Sequence, residues 1–140
     1  MKPVYSLLVI TSFLFVSCGK WIPENRVVGN WKLVEVEKRR LFDKKTISTG
    51  YENGTFSFHD GETAQYSDAI GNMNGNWRIR SEYYGENATR NTFTLRLYNF
   101  NANRIIDWEF DRIDFRSSGK KLIAFMQRSG YEYRYEFRKD

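Results

Sequence analysis

The closing residues constrain the fold most. Tyr131, Tyr133, Tyr135 and Phe137 alternate with Glu132, Arg134, Glu136 and Arg138. A period of two puts all four rings on one face of an extended strand and all four charges on the other. Wound as a helix, the same residues would scatter their rings around the axis. The pattern recurs upstream, where Trp77 and Ile79 alternate with Arg78 and Arg80. Phe93, Leu95 and Leu97 alternate with Thr94 and Arg96, and Ile106, Trp108 and Phe110 with Asp107 and Glu109. Strands are expected at 28–37, 54–59, 62–68, 75–81, 92–99, 104–113, 120–127 and 130–138. Connections of a few residues between them imply hairpins, hence an antiparallel meander. Asp60-Gly61 is one hairpin signal, and Asn53-Gly54 is a second that would add a ninth strand at 46–51.

Eight meandering strands with one apolar face end economically as a closed barrel or as two packed sheets. Closure removes the edges that template aggregation. The chain is therefore expected to be all-β: an eight-stranded antiparallel up-and-down barrel. Its first strand opens on Gly29-Asn30-Trp31. Gly29 permits close backbone approach, and Trp31 brings a large apolar surface to plug the interior. The 17% aromatic content fits such strands better than helices.

Residues 1–17 read as an export leader rather than as part of the fold. Met1-Lys2 is a short positive start, and Val4 to Val16 is an apolar run too short to span a bilayer comfortably. It ends at Phe15-Val16-Ser17-Cys18-Gly19, which resembles the lipobox of bacterial lipoproteins. That resemblance implies acylation of Cys18, with residues 18–26 as a lipidated tether and 27–140 as the barrel domain. Acyl chains then hold the protein on a membrane, at about 0.8 kcal/mol per buried methylene. Cys18 is the single cysteine, so no internal disulfide forms. The formal charge of +5 is small and scattered, which argues against nucleic acid as a partner.

The leader with its cysteine, Gly29-x-Trp31, the meander and an Arg near the end of the last strand together resemble the lipocalins. More narrowly, Gly54-Thr55-Phe56-Ser57-Phe58, Gly75-Asn76-Trp77 and Tyr133-Arg134-Tyr135-Glu136-Phe137 are similar to small lipocalin-like lipoproteins of Bacteroidetes-type bacteria. The likeness implies a lipid-anchored protein of the bacterial cell envelope, on the periplasmic face of the outer membrane or on the cell surface. It also implies that Trp31 packs at the closed end of the barrel beneath Arg134 or Arg138. The Thr-Asp-Tyr motif, the disulfide and the C-terminal helix of the better-known lipocalins are absent.

An eight-stranded barrel is just wide enough to be filled by its own side chains or to hold one small ligand. Tyr66, Trp77, Trp108, Tyr131, Tyr133 and Tyr135 are the expected ligand-lining residues, for a lipophilic molecule with one polar end. The alternative is a filled barrel that serves as an interaction or assembly module for another envelope protein. The basic connection 38–45, around Leu41-Phe42, reads as a solvated loop, as a lid over the barrel mouth, or as a salt-dependent contact with anionic headgroups or glycans. Asp107, Glu109, Asp111 and Asp114 read as cross-strand ion-pair partners rather than metal ligands. His59 has no identifiable Ser or Cys partner, and no phosphate loop, zinc spacing or dinucleotide fingerprint is present. The chain is thus read as a non-enzyme without cofactor or metal.

Overall fold

The computed structural model describes residues 23–85 and 88–140. The leader, Cys18 and the first part of the expected tether lie outside the described residues. The rest of that tether is a helical turn, α1 (Pro23–Val27). Ten strands follow: β1 (Gly29–Arg40), β2 (Asp43–Ile47), β3 (Thr55–Phe58), β4 (Thr63–Asp68), β5 (Gly71–Tyr84), β6 (Ala88–Asn99), β7 (Arg104–Phe110), β8 (Arg112–Arg116), β9 (Lys121–Arg128) and β10 (Tyr131–Lys139). They form one antiparallel sheet in the order β7-β6-β5-β4-β3-β1-β10-β9-β8, with β2 also paired to β1.

Two departures from the expected eight strands have physical causes. Segment 38–45 is not a loop. β1 continues to Arg40 and turns at Leu41-Phe42 into β2, with Val36 opposite Ile47 and Arg40 opposite Asp43. Residues 43–46 are exposed on both faces, so no buried face imprinted an alternation on them. The turn belongs to Leu41, at φ 46°, and not to Asn53-Gly54. The segment expected as one strand at 104–113 breaks at Asp111. β7 pairs with β6, β8 pairs with β9, and the Asp111 amide donates to the Phe125 carbonyl at 2.8 Å. The two ends of the strand order are thus consecutive in the chain, and the hydrogen-bonded ladder itself is not closed.

Antiparallel register defines two ends. α1, the 59–62 turn, the 117–120 turn and the C-terminus share one, called the tether end. The turns at 41–42, 69–70, 100–103 and 129–130 share the other, the far end.

The sheet curls so that its inner face meets itself. Phe56 on β3 lies 5.6 Å from Phe137 on β10 and 5.9 Å from Trp108 on β7, centroid to centroid. Trp31, Leu33, Phe58, Phe93, Leu95, Leu97, Phe110 and Leu122 are buried in the same cluster. At the tether end α1 lies under this core. Val27 is buried, and its carbonyl accepts the Trp31 Nε1–H at 2.6 Å. α1 is thus held to the core through Val27, the first residue of the expected barrel domain.

Candidate functional site

The inward phase of β4 and β7 ends in polar residues near the far end. Asp68 follows Tyr66 by two positions, and Arg104 precedes Ile106 by two, so both point inward. β5 and β6 separate their strands in the sheet, yet Arg104 reaches Asp68 through Nη1–Oδ1 at 3.1 Å and Nη2–Oδ2 at 2.7 Å. Both side chains are largely buried, 14% and 8% exposed. Asp68 Oδ1 also accepts the amides of Ile70 and Gly71 at 2.9 and 3.2 Å. The Arg104 guanidinium, aided by these amides, holds the Asp68 carboxyl at a pKa of about 2 against burial.

Rings surround this pair. Residues 48–54, between β2 and β3, carry Tyr51 across to β4 and β7. Its ring meets Tyr66 edge-on at 5.3 Å and Trp108 at 5.7 Å, and its hydroxyl reaches the Ile105 carbonyl at 3.4 Å. Trp108 in turn lies 5.1 Å from Tyr135. The segment is shaped by Glu52, whose carboxylate accepts the amides of Thr49 and Gly50 at 2.6 and 3.0 Å. Burial pushes the Glu52 carboxyl up, but these bonds outweigh it and leave the pKa lowered. Gly54 closes the loop against Tyr66, where a methyl group would overlap the phenol ring.

Tyr66 is fully buried, and its Oη lacks a hydrogen bond of good geometry. Burial first, and then the Asp68 charge, pushes its phenol up to about 12. Burial likewise raises Tyr135. The arrangement therefore holds neutral phenols and a mutually neutralised ion pair. It is suited to fixing rings and to clamping β4 onto β7, and it offers no free base or nucleophile.

Of the expected ligand-lining residues, Tyr66, Trp108 and Tyr135 come together here. Trp77 lies towards the tether end between Phe58 and Phe93, donating to the His59 carbonyl at 3.1 Å. Tyr133 is half-buried at the margin of the core. Tyr131 is half-buried too, with the Lys38 ammonium 3.9 Å above its ring and Arg40 also close. Tyr51, Asp68 and Arg104 were not anticipated. The inward phase of β4 and β7 marks the last two, whereas Tyr51 sits in an irregular segment with no period to reveal it.

The cation over Trp31 is neither Arg134 nor Arg138. Both alternate with Tyr135 and Phe137 and so lie on the outer face, bonded to Glu136 at 2.9 and 3.1 Å. Lys139 is in register with Trp31 on its own face, and its ammonium lies 5.3 Å from that ring. Gly29, at φ 131°, lets the Lys139 stem pass where a side chain would collide.

The outer face of β2, β1, β10 and β9 carries a second ionic group. Glu37 and Glu136 are 1% and 5% exposed although they point away from the core. Lys44, Arg39 and Arg134 engage Glu37, while Lys121, Arg134 and Arg138 engage Glu136. These bonds outweigh desolvation and hold Glu136 at about 2. On β6 to β8, Asp107 pairs with Arg96, Asp111 with Arg90 and Asp114 with Arg112.

Two hollows of about 320 and 370 Å³ lie among outer-face side chains, one around Arg78, Thr94 and Glu109, the other around Arg90, Asp111 and Arg112. Neither is lined by Tyr51, Tyr66, Trp108 or Tyr135. Exposed apolar groups gather at the far end. Leu41 and Phe42 are 94% and 104% exposed at the β1–β2 tip, and Ile70, Phe100 and Ile105 are also exposed. No protein-family model, curated protein or solved structure matches this chain.

Proposed function

We propose that this chain is a lipid-anchored β-barrel protein of the bacterial envelope that works through its outer surface, with its interior filled by its own rings. The observation that carries the reading is the seating of Tyr51 against Tyr66 and Trp108, which fills the space a ligand would enter. The barrel reading is supported by the kinked β7–β8 segment, which pairs with β6 on one half and with β9 on the other and so joins the two ends of the open ladder through the chain. A closed interior of this width is filled by side chains when they are this large. Lipocalin-like ancestry accounts for the meander and for Trp31, while the ligand role expected of Tyr66, Trp108 and Tyr135 gives way to packing. The exposed Leu41-Phe42 tip, flanked by Arg39, Arg40, Lys44 and Lys45, is the natural contact for another envelope protein.

Native mass spectrometry of the acylated full-length protein, extracted in mild detergent, tests this. The expected mass is the acylated chain alone, and Trp fluorescence is unchanged by fatty acids or sterols. An envelope protein is expected to co-purify at one-to-one stoichiometry and to be lost in the Leu41→Ser, Phe42→Ser variant. A retained lipophilic molecule would instead restore the ligand-holding reading, with residues 48–54 as its gate.

A further inference from the structure

Antiparallel pairing sets four cations in one row across the outer face near the tether end. Lys32 on β1 is opposite Arg138 on β10, Arg138 is opposite Lys121 on β9, and Lys121 is opposite Arg116 on β8. Like charges directly opposite each other destabilise a sheet. Their internal compensation is thin. Lys121 and Arg138 share the single carboxylate of Glu136 with Arg134, and Lys32 is 3.8 Å from Asp140. Arg116 and Lys120 are exposed, and no carboxylate among the described residues forms a salt bridge to either. The row adjoins the end from which α1 leads back towards Cys18.

We infer that this row is a docking surface for anionic phospholipid headgroups of the membrane that carries the acyl chains. The inference rests on the proposed anchor. A row of cations on neighbouring strands matches a layer of phosphates, because both repeat across a surface rather than at a point. Contact with headgroups supplies the negative charge that the row lacks, and each basic residue near such a surface adds to the attraction. The row would hold the barrel upright, with its tether end on the bilayer and the Leu41-Phe42 tip directed away.

The test uses the acylated full-length protein with vesicles of phosphatidylcholine alone or with added phosphatidylglycerol. Flotation reports attachment, and amide hydrogen exchange reports contact. Attachment to both vesicle types, with slowed exchange at 116–121 and 138–139 only on the anionic vesicles, is the expected result. The slowing should vanish at about 1 M salt, where the screening length falls to about 3 Å. It should also vanish in an Arg116→Glu, Lys120→Glu variant, whose changed side chains are exposed and whose circular dichroism should be unaltered. Flotation with both vesicle types but equal exchange overturns this inference and leaves the anchor standing. Flotation with anionic vesicles alone, with the same slowing, overturns the anchor and sustains the surface. Flotation with neither overturns both, as would slowing that persists in high salt or in the charge-reversed variant for the surface alone.

Discussion

Arg104 and Asp68 join β7 to β4 across the inner face, through two charge-assisted hydrogen bonds that bypass the two strands lying between them in the sheet. Removing one partner of such a buried pair strands the other charge, at a cost of about 3–5 kcal/mol. Arg104→Met and Asp68→Asn are each expected to lower stability in urea by that order. The double variant should be less destabilised than the sum of the two. Strict additivity would show that the pair does not act as a unit.

Acid should reveal the same clamp. Asp68 is held at about 2, below its ordinary 3.8, chiefly by Arg104. A depressed carboxyl pKa contributes stability that is complete above the unfolded value and lost as pH falls through the folded one. For Asp68 this amounts to about 2 kcal/mol, disappearing between about pH 5 and pH 1. Glu136, also held at about 2, loses stability in the same direction. The urea midpoint of the wild type should therefore fall steeply on acidification, and that of Asp68→Asn less steeply. Equal slopes would remove Asp68 from the linkage.

Tyr66→Phe makes a contrary prediction. The Tyr66 hydroxyl is buried without a well-formed bond, so deleting it removes a desolvated polar group and leaves the ring in place. The variant should be within about 1 kcal/mol of wild type, or more stable. It should also lose the decline expected from about pH 10 upwards, where the unfolded phenol ionises and the folded one, held near 12, does not. A larger loss at neutral pH would mean that the hydroxyl is satisfied by a bound water.

Trp31→Ala should cost about 3–5 kcal/mol, as large-to-small changes in cores do. The loss has two parts, the ring itself and the tie between Trp31 Nε1 and the Val27 carbonyl. Trp31→Phe keeps much of the packing and breaks the tie, so it should cost less and expose α1 to proteolysis first. A change below about 1 kcal/mol for Trp31→Ala would contradict the core position.

How far the sequence revealed this arrangement depended on whether a residue had one wet neighbour and one dry one. β5, β6, β7 and β10 are sided in this way, so their alternation located Trp77, Leu95, Trp108 and Tyr135. β2 has no buried face and left no pattern. The break at Asp111 shifts the inward phase by one residue, from Ile106, Trp108 and Phe110 in β7 to Ile113 and Phe115 in β8, a slip that a single strand at 104–113 passes over. Arg134 and Arg138 were placed over Trp31 by family likeness, although their own alternation with Tyr135 and Phe137 puts them outside. Tyr51 could not be assigned, since the contacts that fix it come from β4 and β7, remote in sequence.

Gly54→Ala tests whether residues 48–54 are bound to the core or merely lie over it. Gly54 is buried, and an added methyl would meet the ring and hydroxyl of Tyr66, which is itself fixed by Phe56 at 4.6 Å and Tyr51 at 5.3 Å. With no room to yield, overpacking should cost about 1–3 kcal/mol. Combining the change with Tyr66→Phe relieves the overlap at the hydroxyl but not at the ring carbons, so only part of the loss should return. Urea denaturation of the two single variants and the double variant measures this coupling. A Gly54→Ala cost below about 0.5 kcal/mol, in the range of unremarkable surface changes, would mean that the loop lifts away readily. The interior would then be accessible, and the case for a filled barrel would fail at its mouth.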